Sequence, residues 1–117
     1  MSAYSGALLA VPSTVVTASG GGTPFQALAY ATAAVDVNVT AATGTSPTLD
    51  LYLDRQGADG VWYNVWHPTQ ITAAGAASTS VGPGCATGEV LTGYLRLRWV
   101  VGGTTPSFTF SASVVGR

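Results

Sequence analysis

The sequence predicts an all-β fold, an antiparallel β-sandwich of the Ig-like or jelly-roll-like kind with an extended N-terminal arm. Three observations predict it. First, apolar residues alternate with polar ones at the period of two expected of half-buried strands, in Val35, Val37 and Val39, in Leu49, Leu51 and Leu53, in Leu95, Leu97 and Trp99, and in Phe108, Phe110, Ala112 and Val114. Second, Gly- and Pro-bearing segments separate these runs at the spacing of an all-β domain. Third, no stretch carries a sustained helical face. Alternation gives each sheet one dry side and one wet side, which favours a sandwich over a barrel.

A chain of 117 residues is one domain. Residues 1–12 read as the arm and 13–117 as the sandwich. The arm offers Tyr4, Leu8, Leu9 and Val11 for docking. Residues 13–18 are β-branched and read as a short strand. Residues 19–24, SGGGTP, are a loop, and no Lys-Ser/Thr follows to make them a phosphate cradle. Residues 25–34 fit a helical face through Phe25, Leu28 and Ala29, but their β surroundings favour strand or extended chain. A strand over 34–42 leads to a turn at 43–47.

Residues 48–70 form a hairpin around the polar turn 56–60, with Trp62, Tyr63 and Trp66 on its second arm. Residues 69–88 read as loop, with a short strand near 78–81 or an extended segment against a neighbour. Strands over 89–101 and 107–115 flank a turn at 102–106.

Charged residues are 8% of the chain, against about 25% in ordinary soluble domains. There is no lysine, and the net charge is −1. Such a surface gives little repulsion between copies and points to an assembly subunit, with a soluble Ser/Thr-coated monomer as the alternative. Four arginines without lysine do not make a nucleic-acid surface. No apolar run reaches the ~20 residues of a membrane span. The N-terminus lacks the basic start of a signal peptide, and the single Cys85 excludes an intrachain disulfide.

No catalytic set assembles. His67 is the only histidine and reads as a strand-end cap before Pro68. One His and one Cys do not make a zinc site, so neither metal nor cofactor is expected. Asp50 and Asp54 share a strand face, but four residues of strand put them roughly 13 Å apart, too far for a glycosidase pair. They read as partners for Arg96 and Arg98, on neighbouring strands or across an interface. Asp59-Gly60 is a turn without the ligand density of a calcium loop. Trp62, Tyr63 and Trp66 fit a sugar platform, a protein interface or core. The favoured arrangement turns Val61, Tyr63 and Val65 inward and leaves the tryptophans near a rim.

Residues 35–72, VDVNVTAATGTSPTLDLYLDRQGADGVWYNVWHPTQIT, and the closing LRLRWVVGGTTPSFTFSASVVGR resemble small β-rich virion proteins of tailed bacteriophages. The resemblance implies a non-enzymatic capsid decoration (cement) protein, made in the host cytoplasm and carried on the virion's capsid surface. It implies the major capsid protein or other virion proteins as partners, and a homo-oligomer, a trimer among the forms expected. The alternatives are a minor tail or neck protein and a carbohydrate-binding module. The expected interface residues are Tyr4, Leu8, Leu9, Val11, Asp59, Trp62, Trp66, Arg96 and Arg98.

Overall fold

The structure, a computed structural model, describes residues 6–27, 31–88 and 93–116. Seven strands account for most of them: β1 (Gly6–Val16), β2 (Gly20–Gly21), β3 (Phe25–Gln26), β4 (Ala33–Gln56), β5 (Trp62–Trp66), β6 (Gly75–Val81) and β7 (Tyr94–Gly116). No helix occurs among the described residues. The strands pair antiparallel in one continuous sheet.

The axis of the sheet is the β4–β7 ribbon, whose ladder runs from Ala33↔Gly116 to Arg55↔Leu95. A straight strand of 24 residues would extend about 80 Å. The molecule's longest dimension is 48 Å, so the ribbon folds. The fold falls at two copies of one tetrapeptide pattern, Gly44-Thr45-Ser46-Pro47 on β4 and Gly103-Thr104-Thr105-Pro106 on β7. Thr45 faces Thr104, between register shifts of the ladder.

Gly44 and Gly103 take φ of 115° and 105°, and Ser46 and Thr105 take 48° and 50°. A Cβ on Gly44 would lie 2.7 Å from the Thr105 carbonyl oxygen, and one on Gly103 would lie 2.6 Å from that of Ser46. The backbones therefore touch where the ribbon bends, and only glycine fits. The turns expected at 43–47 and 102–106 are thus corners. The chain bends from one layer to the other and continues with the same partner strand.

Folding the ribbon makes a sandwich. The first layer places β1 beside the C-terminal half of β7, then the N-terminal half of β4, then β6. The second places β2 and β3 beside the N-terminal half of β7, then the C-terminal half of β4, then β5. Counting half-strands along the chain, the layers read 1-8-3-6 and 2-7-4-5, the doubled Greek key of a jelly roll. Of the two sandwich types expected, the connectivity is the jelly-roll one.

The halves bury each other's apolar sides. Val37, Val39, Phe108 and Phe110 of the first layer pack with Leu49, Leu51 and Leu97 of the second. Toward the ribbon's open end, Val35, Val81 and Val114 pack with Leu53, Val65 and Leu95. Phe108, Phe110, Leu49, Leu53 and Leu95 are wholly buried. Each such side chain contributes roughly 1.5–3 kcal/mol of transfer free energy.

Two expectations change, and a third is met only in part by the described residues. The N-terminal arm is extended from Gly6 onward, but as β1 it is hydrogen-bonded along β7 from Gly6↔Gly116 to Val16↔Phe108. Pro12, which has no N–H to give, sits at the register shift between Val11 and Thr14. The strand expected near 78–81 starts earlier, at Gly75, because pairing with β4 from Val39↔Gly75 to Ala33↔Val81 orders small residues of weak strand propensity. The strand expected from 89 is described from Tyr94, and residues 89–92 lie outside the described residues.

Candidate functional site

The outward side of the second layer gathers Asp50, Asp54, Arg96 and Arg98, four of the seven charged residues among the described residues. Asp54 on β4 faces Arg96 on β7 and Asn64 on β5. Both neighbouring arginines reach it: Arg96 Nε donates to Oδ2 at 3.2 Å and Arg98 Nε donates to the same oxygen at 2.9 Å. Asn64 Nδ2 donates to Oδ1 at 3.4 Å. These side chains cover the carboxylate so fully that Asp54 is 2% exposed, although its strand parity points it away from the core. Burial alone would raise its pKa. The hydrogen bonds from Arg98, Arg96 and Asn64 and the Arg98 charge outweigh burial and hold it below the ordinary carboxylate value.

Each guanidinium also lies over a ring, Arg96 4.4 Å from the Trp62 centroid and Arg98 4.1 Å from that of Tyr52. Tyr52 in turn stacks on His67, centroids 4.2 Å apart. His67 Nε2 stands 3.3 Å from Asp50 Oδ1, and Gln70 Nε2 donates to Asp50 Oδ2 at 2.9 Å. The result is one alternating ladder across three strands: Trp62, Arg96, Asp54, Arg98, Tyr52, His67, Asp50. His67 is therefore a member of this stack, in place of the strand-end cap expected of it, because the 67–70 segment returns along β4 before Ile71 bonds Leu49.

The expected interface residues part company here. Arg96, Arg98 and Trp62 stand together. Trp66 does not join them: a register shift between Leu53 and Asp54 turns it inward, where it packs against both core clusters. Tyr63 and Val61, expected inside, are exposed, and only Val65 of that set is buried. Trp62, Tyr63 and Trp66 therefore form no common sugar platform.

Asp59 sits at the exposed β4–β5 turn, accepting from Tyr63 Oη at 2.6 Å and from the Val61 amide at 3.0 Å. The Tyr63 hydrogen bond lowers the Asp59 pKa, and the same bond raises that of Tyr63. Val11 is half-buried against the core, Leu9 pairs with Val114 in β1, Leu8 lies at the neighbouring irregularity, and Tyr4 lies outside the described residues.

No protein-family model and no curated protein matches the sequence.

The outward side of the first layer is chemically different. Its residues are Ala34, Asp36 and Asn38 on β4, Ser111, Ser113 and Val115 on β7, and Ala76, Ser78 and Ser80 on β6, in register across three strands. Asp36 is the single charge among them. Asn38, Ser111, Ala76 and Ser78 border a shallow depression of about 520 Å³ that runs toward Val11 and Pro12. This face was legible as hydroxyl-bearing alternation in β7, but its continuation onto β6 was hidden, because Ala and Ser give no strand signal. Among the described residues, no group of three or more His, Cys, Asp or Glu side chains stands where it could hold a metal.

Proposed function

We propose that this protein is a non-enzymatic structural subunit that binds an assembled shell and joins its neighbours, as a capsid decoration protein does. The observation that carries the reading is the outward face of the first layer, a nine-residue patch with one charge set in register across three strands. Packing such a face desolvates hydroxyls and small apolar groups and leaves little charge to bury unpaired. β6 supports the same reading. Its edge from Gly75 to Thr79 carries no charge and no proline, two of the usual devices that keep strand edges apart. The edge near Val81, by contrast, is covered by Thr87.

Such a subunit acts by mass action. It binds the assembled shell and not the dispersed one, and repeated identical contacts add. Deleting the N-terminal segment would be a poor test, because β1 is a sandwich strand. The test is binding of the purified protein to phage heads stripped of accessory proteins, read by electron microscopy. Ordered density on symmetry-related sites is expected, with occupancy reduced at least tenfold by the double change Asn38→Lys and Ser111→Lys. Heads that stay bare at saturating protein would sink the reading.

A further inference from the structure

We infer that the cleft beside Arg96 and Arg98 is a binding site for the carboxylate of an acidic sugar, of the uronic-acid type. It is an open cavity of about 510 Å³ on the second layer's outward face, bordered by Gly20, Gly21, Gly22, Pro24, Trp62, Arg96 and Arg98. That volume falls within the range of small-molecule sites.

Three features fit it to this ligand. The arginines are preorganised. Each gives only Nε to Asp54 and is stacked on an aromatic ring, so among the described residues their Nη groups make no hydrogen bond. Nη donors in a fixed plane are what bidentate carboxylate recognition uses. The charge favours an anion: two guanidinium groups stand against the single carboxylate of Asp54, while Asp50 is engaged on the far side of β4 by His67 and Gln70.

The third feature is the glycine wall. Gly21 lies opposite Arg98, and a Cβ there would stand 3.3 Å from the Leu97 carbonyl oxygen and 3.9 Å from the Arg98 Cβ. None of Gly20, Gly21 and Gly22 has a positive φ, so no left-handed conformation demands glycine here. What these glycines do is leave the arginine edges uncovered. The Gly22 amide bonds the Leu97 carbonyl, and ladder alternation then turns the N–H and C=O of Gly21 outward from β7. Those groups lie along the cleft's outer rim, where they suit the hydroxyls of a ring that overhangs the sheet edge. The Trp62 indole supplies an apolar wall at the other side. A sugar needs this mixture of fork, backbone polar groups and ring, whereas an acidic peptide would need only the charges.

Isothermal titration and a glycan array would test the site with glucuronate-terminated oligosaccharide, its neutral glucose counterpart, a glutamate-rich peptide and inorganic phosphate. Binding of the acidic sugar at least tenfold tighter than its neutral counterpart is expected. Gly21→Leu, which fills the cleft while leaving Asp54 and both arginines in place, should weaken it at least tenfold, and so should Arg98→Lys. Equal affinity for acidic and neutral sugars would overturn the site, as would unchanged binding by Gly21→Leu. Binding of the peptide or phosphate without the sugar would overturn the ligand class.

Discussion

Asp36 and Asp54 lie on the same strand, and both point away from the core, yet the molecule treats them oppositely. Asp36 stands exposed among serines, facing Ser113 and Ser78. Asp54, beyond the corner, is roofed by two arginines and an asparagine. One strand thus supplies two outward faces of different character. The first is nearly uncharged and suited to lying against another protein. The second concentrates cations, rings and a cleft. The difference comes from what the corner brings alongside β4: the serine-rich end of β7 on one side of the bend, and its arginines on the other.

The corner itself is where the comparison breaks most completely. Gly103→Ala would drive a Cβ into the Ser46 carbonyl at an unfavourable φ, and Gly44→Ala would do the same to Thr105. Each should cost at least about 3 kcal/mol in denaturant unfolding, more than the strain of a left-handed residue alone. Both faces should be lost together.

Asp54→Ala should cost about 2 kcal/mol. That is less than for a fully buried ion pair, because Arg96 and Arg98 keep about a third of their side-chain surface in water. Asp36→Ala should change stability by less than about 0.5 kcal/mol. Equal costs at the two positions would remove the asymmetry.

Acid sharpens the same contrast. The Asp54 pKa is lower folded than unfolded, so its stabilisation is present above the unfolded value of about 3.9. It is lost as pH falls through the folded value. Thermal stability should therefore fall below about pH 4. Asp54→Asn should flatten that part of the profile, and Asp36→Asn should leave it as it is. The smallest effect is expected from Asn38→Lys, which should leave the Tm within about a degree because the position is exposed.

The period-two runs were enough to place the core. Val35, Val37, Val39, Leu49, Leu51, Leu53, Leu95 and Leu97 are all buried as alternation requires. The corners were harder. Gly-Thr-Ser-Pro and Gly-Thr-Thr-Pro have turn chemistry, and turn chemistry does not say whether a chain reverses or bends. The signal that distinguishes them is the repetition itself, with GTSPTL answered by GTTPSF at the matching point of the paired strand. The pairing of acid with arginine was legible from strand faces, but its division was not. Asp54 takes both arginines, and Asp50 turns to His67 and Gln70, because register fixes which strand stands opposite. The cleft was hidden because its defining residue, Gly21, has no side chain to read.

Co-sedimentation of the purified protein with phage heads stripped of accessory proteins tests the central claim, that the serine-rich face makes the assembly contacts, most directly. The double variant Ser111→Lys and Ser113→Lys charges that face, and Val100→Lys charges the other. The account predicts that the wild type and Val100→Lys pellet with the heads alike, while the double variant stays in the supernatant. A wild type that stays in the supernatant at saturating protein, or binding lost equally from both faces, would contradict it.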